Sequence, residues 1–271
     1  CEESVGRRYR VAIVKQRETA DRLDFINKRQ ALISHVTKIK PLDPLSFFTA
    51  GLEAHAGERF YWSDPARKQF LVGLGHVYKI EARGNNRFND VKREWQTLLN
   101  RCELEGDATA LGTGPLLFGG FSFDPEAKKT ALWRSFPDAL FIVPTYLLSV
   151  MNGECWLTVN RLVEQKARSP HYNKEIEHII SRAQLIKREW QQQNRTTRTA
   201  YKLTDLDVDK WKCAVKVAAE QIRAGVMDKV ALAREIRMEL AENIDLSQVI
   251  QRLDDEQTES YVFAIEQGDD C

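Results

Sequence analysis

The hydrophobic and polar positions along this chain change period several times, and each change predicts an element. Residues 17–30 are charged, with Ala20, Leu23, Phe25 and Ile26 on one side, and predict a helix. Residues 31–39 (ALISHVTKI) predict a strand with Ile33 and Val36 as its core. Pro41 and Pro44 punctuate the chain, and 45–54 (LSFFTAGLEA) reads as a short helix. RFYWSDP, QFLVGLG and HVYKIEA, within 59–82, predict three strands with close turns, an antiparallel meander. Phe88, Val91, Trp95, Leu98, Leu99 and Cys102 mark an amphipathic helix, followed by a Gly- and Thr-rich loop at 106–114. GPLLFGGFSFDP (114–125) reads as a bent core strand, because glycines inside a strand mark a bulge or a close backbone approach. ALFIVPTYLLSV (139–150) and ECWLTVNRLV (154–163) continue the sheet. In 171–194, Ile176, Ile179, Ile180, Ala183, Ile186 and Trp190 form the inward face of a long helix.

The polar stretch 191–207 reads as a linker. Beyond it, Trp211, Val215, Ala218 and Ile222 line one helix face, with Asp207 or Asp209 at its start and Gly225 at its end. DKVALARE then alternates: Lys229, Ala231, Ala233 and Glu235 point one way, and Val230, Leu232 and Arg234 the other. Leu246, Val249, Ile250 and Leu253 predict another helix, and SYVFAIE (260–266) another strand. These elements predict an α+β fold with large, mainly antiparallel sheets and outer helices. The expected division is a sheet-rich part at 1–200 and the start of a second domain at 201–271.

Lys229 is the most informative position. A lysine opens the predicted strand, and the next two residues on its face are alanines, where a core strand would carry large side chains. Small neighbours leave a volume before the amine, so the strand reads as a pocket wall. The residues alone favour the other reading, an exposed lysine at a strand edge, since lysine is mostly solvent-facing.

Composition narrows the classes. The chain has 271 residues, 43% hydrophobic, enough for a sizeable core, and a formal net charge of +1. That balance suggests neither nucleic acid nor an anionic membrane as partner. The longest apolar run is broken by Pro144, so no stretch is long enough to span a membrane. Five cysteines without a C-x-x-C pair argue against a disulfide framework or zinc knuckle and fit a reducing, cytoplasmic setting. Gly73-Leu74-Gly75 lacks the third glycine and the helix of a dinucleotide loop. His171 and His178, seven apart, read as surface residues.

Tryptophan, Val-x-x-Ala, Ile-x-x-Gly and Asp-Lys-Val-x-Leu-Ala-Arg in 211–234 resemble the opening of the chorismate-binding domain of anthranilate, aminodeoxychorismate, salicylate and isochorismate synthases. Within that family the similarity is greatest to isochorismate synthases of the menaquinone type. It extends over LDPLSFF, RFYWSDP, VGLG, GPLLFGGFSFDP, LTVNR and YVFAIEQ. The resemblance implies an anthranilate synthase-like fold and hydration of chorismate at C2 with loss of the C4 hydroxyl. Members that add water carry lysine at the position matching Lys229, as the general base that activates it. The resemblance also implies magnesium, held by glutamates C-terminal to the segment after YVFAIEQ. On that reading the chain is an N-terminal fragment, incomplete at its C-terminus and inactive alone, and Glu235, Glu239 and Glu266 are not assigned as acid or ligands. A salicylate synthase and a non-catalytic scaffold are the alternatives. The choice between a quinone and a siderophore pathway stays open, with the upstream motifs leaning toward the quinone.

Overall fold

In a computed structural model, which describes residues 30–164, 173–192, 201–240 and 244–271, ten strands form two sheets. The larger has eight strands: β1 (Gln30–Ile39), β2 (Arg59–Ser63), β3 (Gln69–Ala82), β4 (Cys102–Gly106), β5 (Phe118–Phe121), β6 (Ala139–Met151), β7 (Glu154–Glu164) and β10 (Val262–Ile265). Its order is β10-β2-β3-β6-β7-β1-β4, with β5 paired to β6 beside that path. Every pairing is antiparallel except β1 with β4. The second sheet pairs only β8 (Tyr201–Asp205) with β9 (Ile236–Leu240). The mainly antiparallel α+β class is therefore as the sequence predicts.

Helices cover the large sheet where their apolar stripes demand it. Asp43 caps α1 (Pro44–Ala50) by accepting the Ser46 amide at 2.8 Å, and Pro44 suits a first turn with no amide to satisfy. The helix drives Phe47 and Phe48 fully into the core, and a short second helix, α2 (Leu52–His55), follows. In α4 (Asn173–Gln192), Ile176, Ala183 and Ile186 are buried and Ile179, Ile180 and Trp190 half-buried, as the spacing predicts. Val91 and Leu98 anchor α3 (Arg87–Leu99), whereas Phe88 and Leu99 lie exposed. In α6 (Leu246–Glu256), Ile250 packs into the same core as α1 and α4.

Several expectations change. The second and third strands of the predicted meander are one continuous β3, with a register shift between His76 and Tyr78. Gly75 sits there at φ +69°, and a Cβ would lie 2.8 Å from His55 Nδ1. The shift re-aims the strand, so that Val72 and Leu74 join one core cluster and Tyr78, Ile80 and Ala82 another. GPLLFGGFSFDP yields only the four-residue β5, in which Phe118 alone is buried. The close approach is real: a Cβ on Gly119 would meet the Leu140 carbonyl oxygen at 1.9 Å. The expected linker contains β8, while 193–200 lie outside the described residues, as do His171 and the helix expected at 17–30 except its last residue, Gln30, which opens β1. His178 is exposed.

The expected division at 200/201 does not follow the sheets. β10 pairs with β2, and α6 is tied to the β2–β3 hairpin through Asp254, which accepts from Tyr61 at 2.5 Å, from Ser63 at 2.7 Å and from Arg67 at 3.1 Å. Arg67 also donates to the carbonyls of Gln257 and Ser260, just past the end of α6. The segment that stands apart is β8, α5 (Val208–Arg223) and β9.

Candidate functional site

α5 carries the stripe the sequence predicts, but none of its residues is buried. Asp207 lies at φ +53° and makes no side-chain cap. Its carbonyl accepts the Trp211 amide, and its carboxylate holds Lys210 at 2.8 Å. The far end closes as expected. Gly225 adopts φ +71° and donates to the Ile222 carbonyl, while Val226 donates to that of Gln221, satisfying carbonyls left open at the helix terminus.

The predicted strand at 229–235 does not form. The chain there is not paired, and the strand begins later, at Ile236. β8 is short, and its partners in the register are residues 236–240, so nothing is left to pair with 229–235. Lys229, Ala231 and Ala233 are exposed. Among the described residues the Lys229 side chain is exposed rather than set into a hollow. The cavity observed nearby, about 520 Å³, lies against α5 and is lined by Cys213, Ala214, Val217, Met227, Val230 and Leu232 among others.

The alternation nevertheless survives without the strand. Val230 and Leu232 line the α5 cavity, and the Arg234 guanidinium lies over the Trp211 ring of α5 at 5.3 Å. Lys229 and the two alanines, of the opposite parity, are absent from that lining. Val230 and Leu232 thus border the α5 cavity, while both parities of the segment remain exposed.

The three glutamates left unassigned have structural partners. Glu266 is buried, accepting from Arg59 Nε at 2.8 Å, Arg59 Nη2 at 2.5 Å and the Gly57 amide at 3.1 Å. Glu235 accepts from Arg237 at 2.6 Å, and Glu239 pairs with Lys202 at 3.6 Å, both at the surface. No group of three or more His, Cys, Asp or Glu side chains converges on a common point among the described residues. The described residues therefore do not by themselves fit a magnesium ion. The contact that the sequence could not reveal is that of Arg234 with Asp205, at 3.2 Å. They lie 29 positions apart and meet only because β8 pairs with β9.

No described helix is long and apolar enough to cross a membrane. Residues 18–271 match the family model described as chorismate binding enzyme. The chain is 35% identical, over 87% of its length and 50% of the relative's, to "Isochorismate synthase MenF" of Bacillus subtilis. It is 26% identical, over 90% of its length and 49% of the relative's, to "Salicylate biosynthesis isochorismate synthase" of Pseudomonas aeruginosa. The chain thus spans about half the length of the curated relatives it matches. Its fold is similar to the solved structure of the menaquinone-specific isochorismate synthase MenF from Escherichia coli, with TM-score 0.55 and 15% identity, covering 87% of this chain and 48% of that one. With nearly its whole length matched, this chain belongs to the chorismate-binding enzyme family.

Proposed function

We propose that this chain is the Lys229-bearing half of an isochorismate synthase acting on chorismate in menaquinone biosynthesis. The observation that carries the reading is Lys229 with Ala231 and Ala233 at alternate positions after it, all three exposed, within the span matched to the family. Lys229 takes a proton from water as the water bonds to C2. The C4 hydroxyl takes up a proton and departs as water, so one water enters, one leaves, and the ring is isomerised. A base must be neutral to do this, and desolvation is what disfavours the charged form of an amine. In this chain the amine is exposed. The part of the relatives that this chain does not span would have to cover it. We assign the proton donor and the magnesium-holding carboxylates to that part as well, since the described residues supply no converging set. Soluble, cytoplasmic action follows from this reading.

The test is Lys229→Gln in the longer protein. A positioned general base contributes roughly 100- to 10,000-fold, so kcat for isochorismate formation should fall by at least about 100-fold with KM little changed. Near wild-type turnover would remove Lys229 from the mechanism, and release of pyruvate would identify a salicylate synthase. The 271-residue chain alone, incubated with chorismate and magnesium, should yield no isochorismate by chromatography.

A further inference from the structure

A second cavity, of about 380 Å³, lies between the α1–α2 pair and α4 and is lined by residues of these helices alone. α1 and α4 pack directly on each other. None of the lining residues belongs to the β8–α5–β9 unit or to the connection that carries Lys229. The volume suits a small molecule rather than a polypeptide segment.

On α4, Arg182, Ile186, Glu189 and Trp190 follow the i, i+4, i+7, i+8 spacing of one helix face. Arg182 and Glu189 stand two turns apart, about 10 Å along the axis. Between them lies an apolar floor: Ile186 is buried, and Ala50 and Trp190 are half-buried against the core. Glu53, from α2, adds a second carboxylate to the lining.

Elsewhere on the surface, charges meet partners, as in Lys38–Glu154, Arg93–Asp90 and Arg252–Glu256. Among the described residues, Arg182, Glu189 and Glu53 make no hydrogen bond or ion pair through their side chains. The helix offers them none. One turn to either side of Arg182 are His178, Ile179, Leu185 and Ile186, and one turn before Glu189 are Leu185 and Ile186, none of opposite charge. The lining therefore holds one guanidinium and two carboxylates around an apolar floor. Its complement has one carboxylate, two ammonium groups and an apolar stem.

We propose that this cavity binds a free diamino monocarboxylic acid, of which lysine is the simplest probe. Its carboxylate pairs with Arg182 and its two ammonium groups with Glu53 and Glu189. The methylene stem lies along Ile186 and Ala50, and the Trp190 ring adds attraction for a cation near its face. The site is independent of the role given to Lys229.

The test is a titration of L-lysine into the isotope-labelled 271-residue chain, followed by NMR. The Trp190 indole and the amides of 49–53 and 182–190 should shift and saturate, with a Kd of about 1 mM or lower. L-norleucine lacks the side-chain ammonium, ε-aminocaproate the α-ammonium and cadaverine the carboxylate. Each should bind at least about threefold more weakly, the share of one exposed ion pair. Glu53→Gln and Glu189→Gln should each weaken lysine by a similar factor. Arg182→Gln should weaken lysine yet leave cadaverine no weaker, because cadaverine has no group for the guanidinium. All three side chains are exposed, so the variants should fold, with β1–β7 amides unchanged. Shifts that do not saturate, norleucine binding as tightly as lysine, or Arg182→Gln weakening lysine and cadaverine alike would overturn the proposal. The longer protein should show the same shifts at the same residues. Loss of binding there would also overturn it, by showing that the rest of that chain fills the cavity.

Discussion

At the scale of single residues, the most constrained charge in the molecule is the Arg59–Glu266 pair. Both side chains are nearly inaccessible. The carboxylate takes two bonds from the guanidinium and one from the Gly57 amide, while Arg59 also donates to the Phe48 carbonyl and lies over the Phe48 ring at 4.2 Å. Three bonds reach the carboxylate and three leave the guanidinium, which offsets much of the water that burial removes. Such a pair is expensive to break from one side, because the survivor stays buried and unpaired. Arg59→Met should therefore lower unfolding stability by roughly 3–5 kcal/mol, read from urea denaturation. A loss below about 1 kcal/mol would mean that water reaches Glu266 in its place. The pair also explains why Glu266, which sequence alone could offer as an acid, is committed to structure: it fastens the end of β10 to the start of β2.

At the scale of elements, two features give opposite predictions for glycine. Gly225 faces open space, so Gly225→Ala meets only the cost of its left-handed backbone, about 1–2 kcal/mol. Gly119→Ala would place a methyl against the backbone of β6 and should detach β5, seen as fast exchange at 118–121. The layer of α1 and α2 over the sheet adds a pH dependence. His55, beside Tyr146 at 5.8 Å, and His76, whose Nε2 is buried without a partner, both titrate below the usual 6.5. Burial is the main cause for each. Glu58 opposes it in both, Arg161 adds to it at His55, and Lys79 and His55 add to it at His76. A lowered folded-state pKa means the native state binds fewer protons, so stability is full above the unfolded value of 6.5 and declines as pH falls below it. Glu94, raised by burial, works in the opposite sense as pH drops toward its unfolded value. The urea midpoint should fall between pH 7.5 and about 5.5, and His55→Gln with His76→Gln should flatten that fall.

At the scale of the whole molecule, burial is uneven. The eight-stranded sheet carries three core clusters. The β8–α5–β9 unit carries none, and α5 has no buried residue. Apolar surface that is not covered contributes little to stability, and local opening follows local burial. Hydrogen exchange on the 271-residue chain should therefore release 201–240 first, while β3, β6 and β7 exchange only on global unfolding. Equal protection of α5 and β6 would contradict the picture of one consolidated body with a loosely held unit between α4 and α6.

The sequence by itself determined what depends on neighbours along the chain. The period of α4 and the closing turn at Gly225 follow from spacing and from the backbone freedom of particular residues. Family membership was legible for the same reason, since short motifs keep their order. Tertiary structure alone decided what depends on partners distant in sequence: that β3 runs on through a bulge, that β10 joins the large sheet, that 229–235 has no strand partner among the described residues, and that Asp205 reaches Arg234. A strand needs a neighbour before it is a strand, and a pocket needs a second wall. Alternation along one segment can therefore suggest a strand at Lys229, but not supply the neighbour that would make it one.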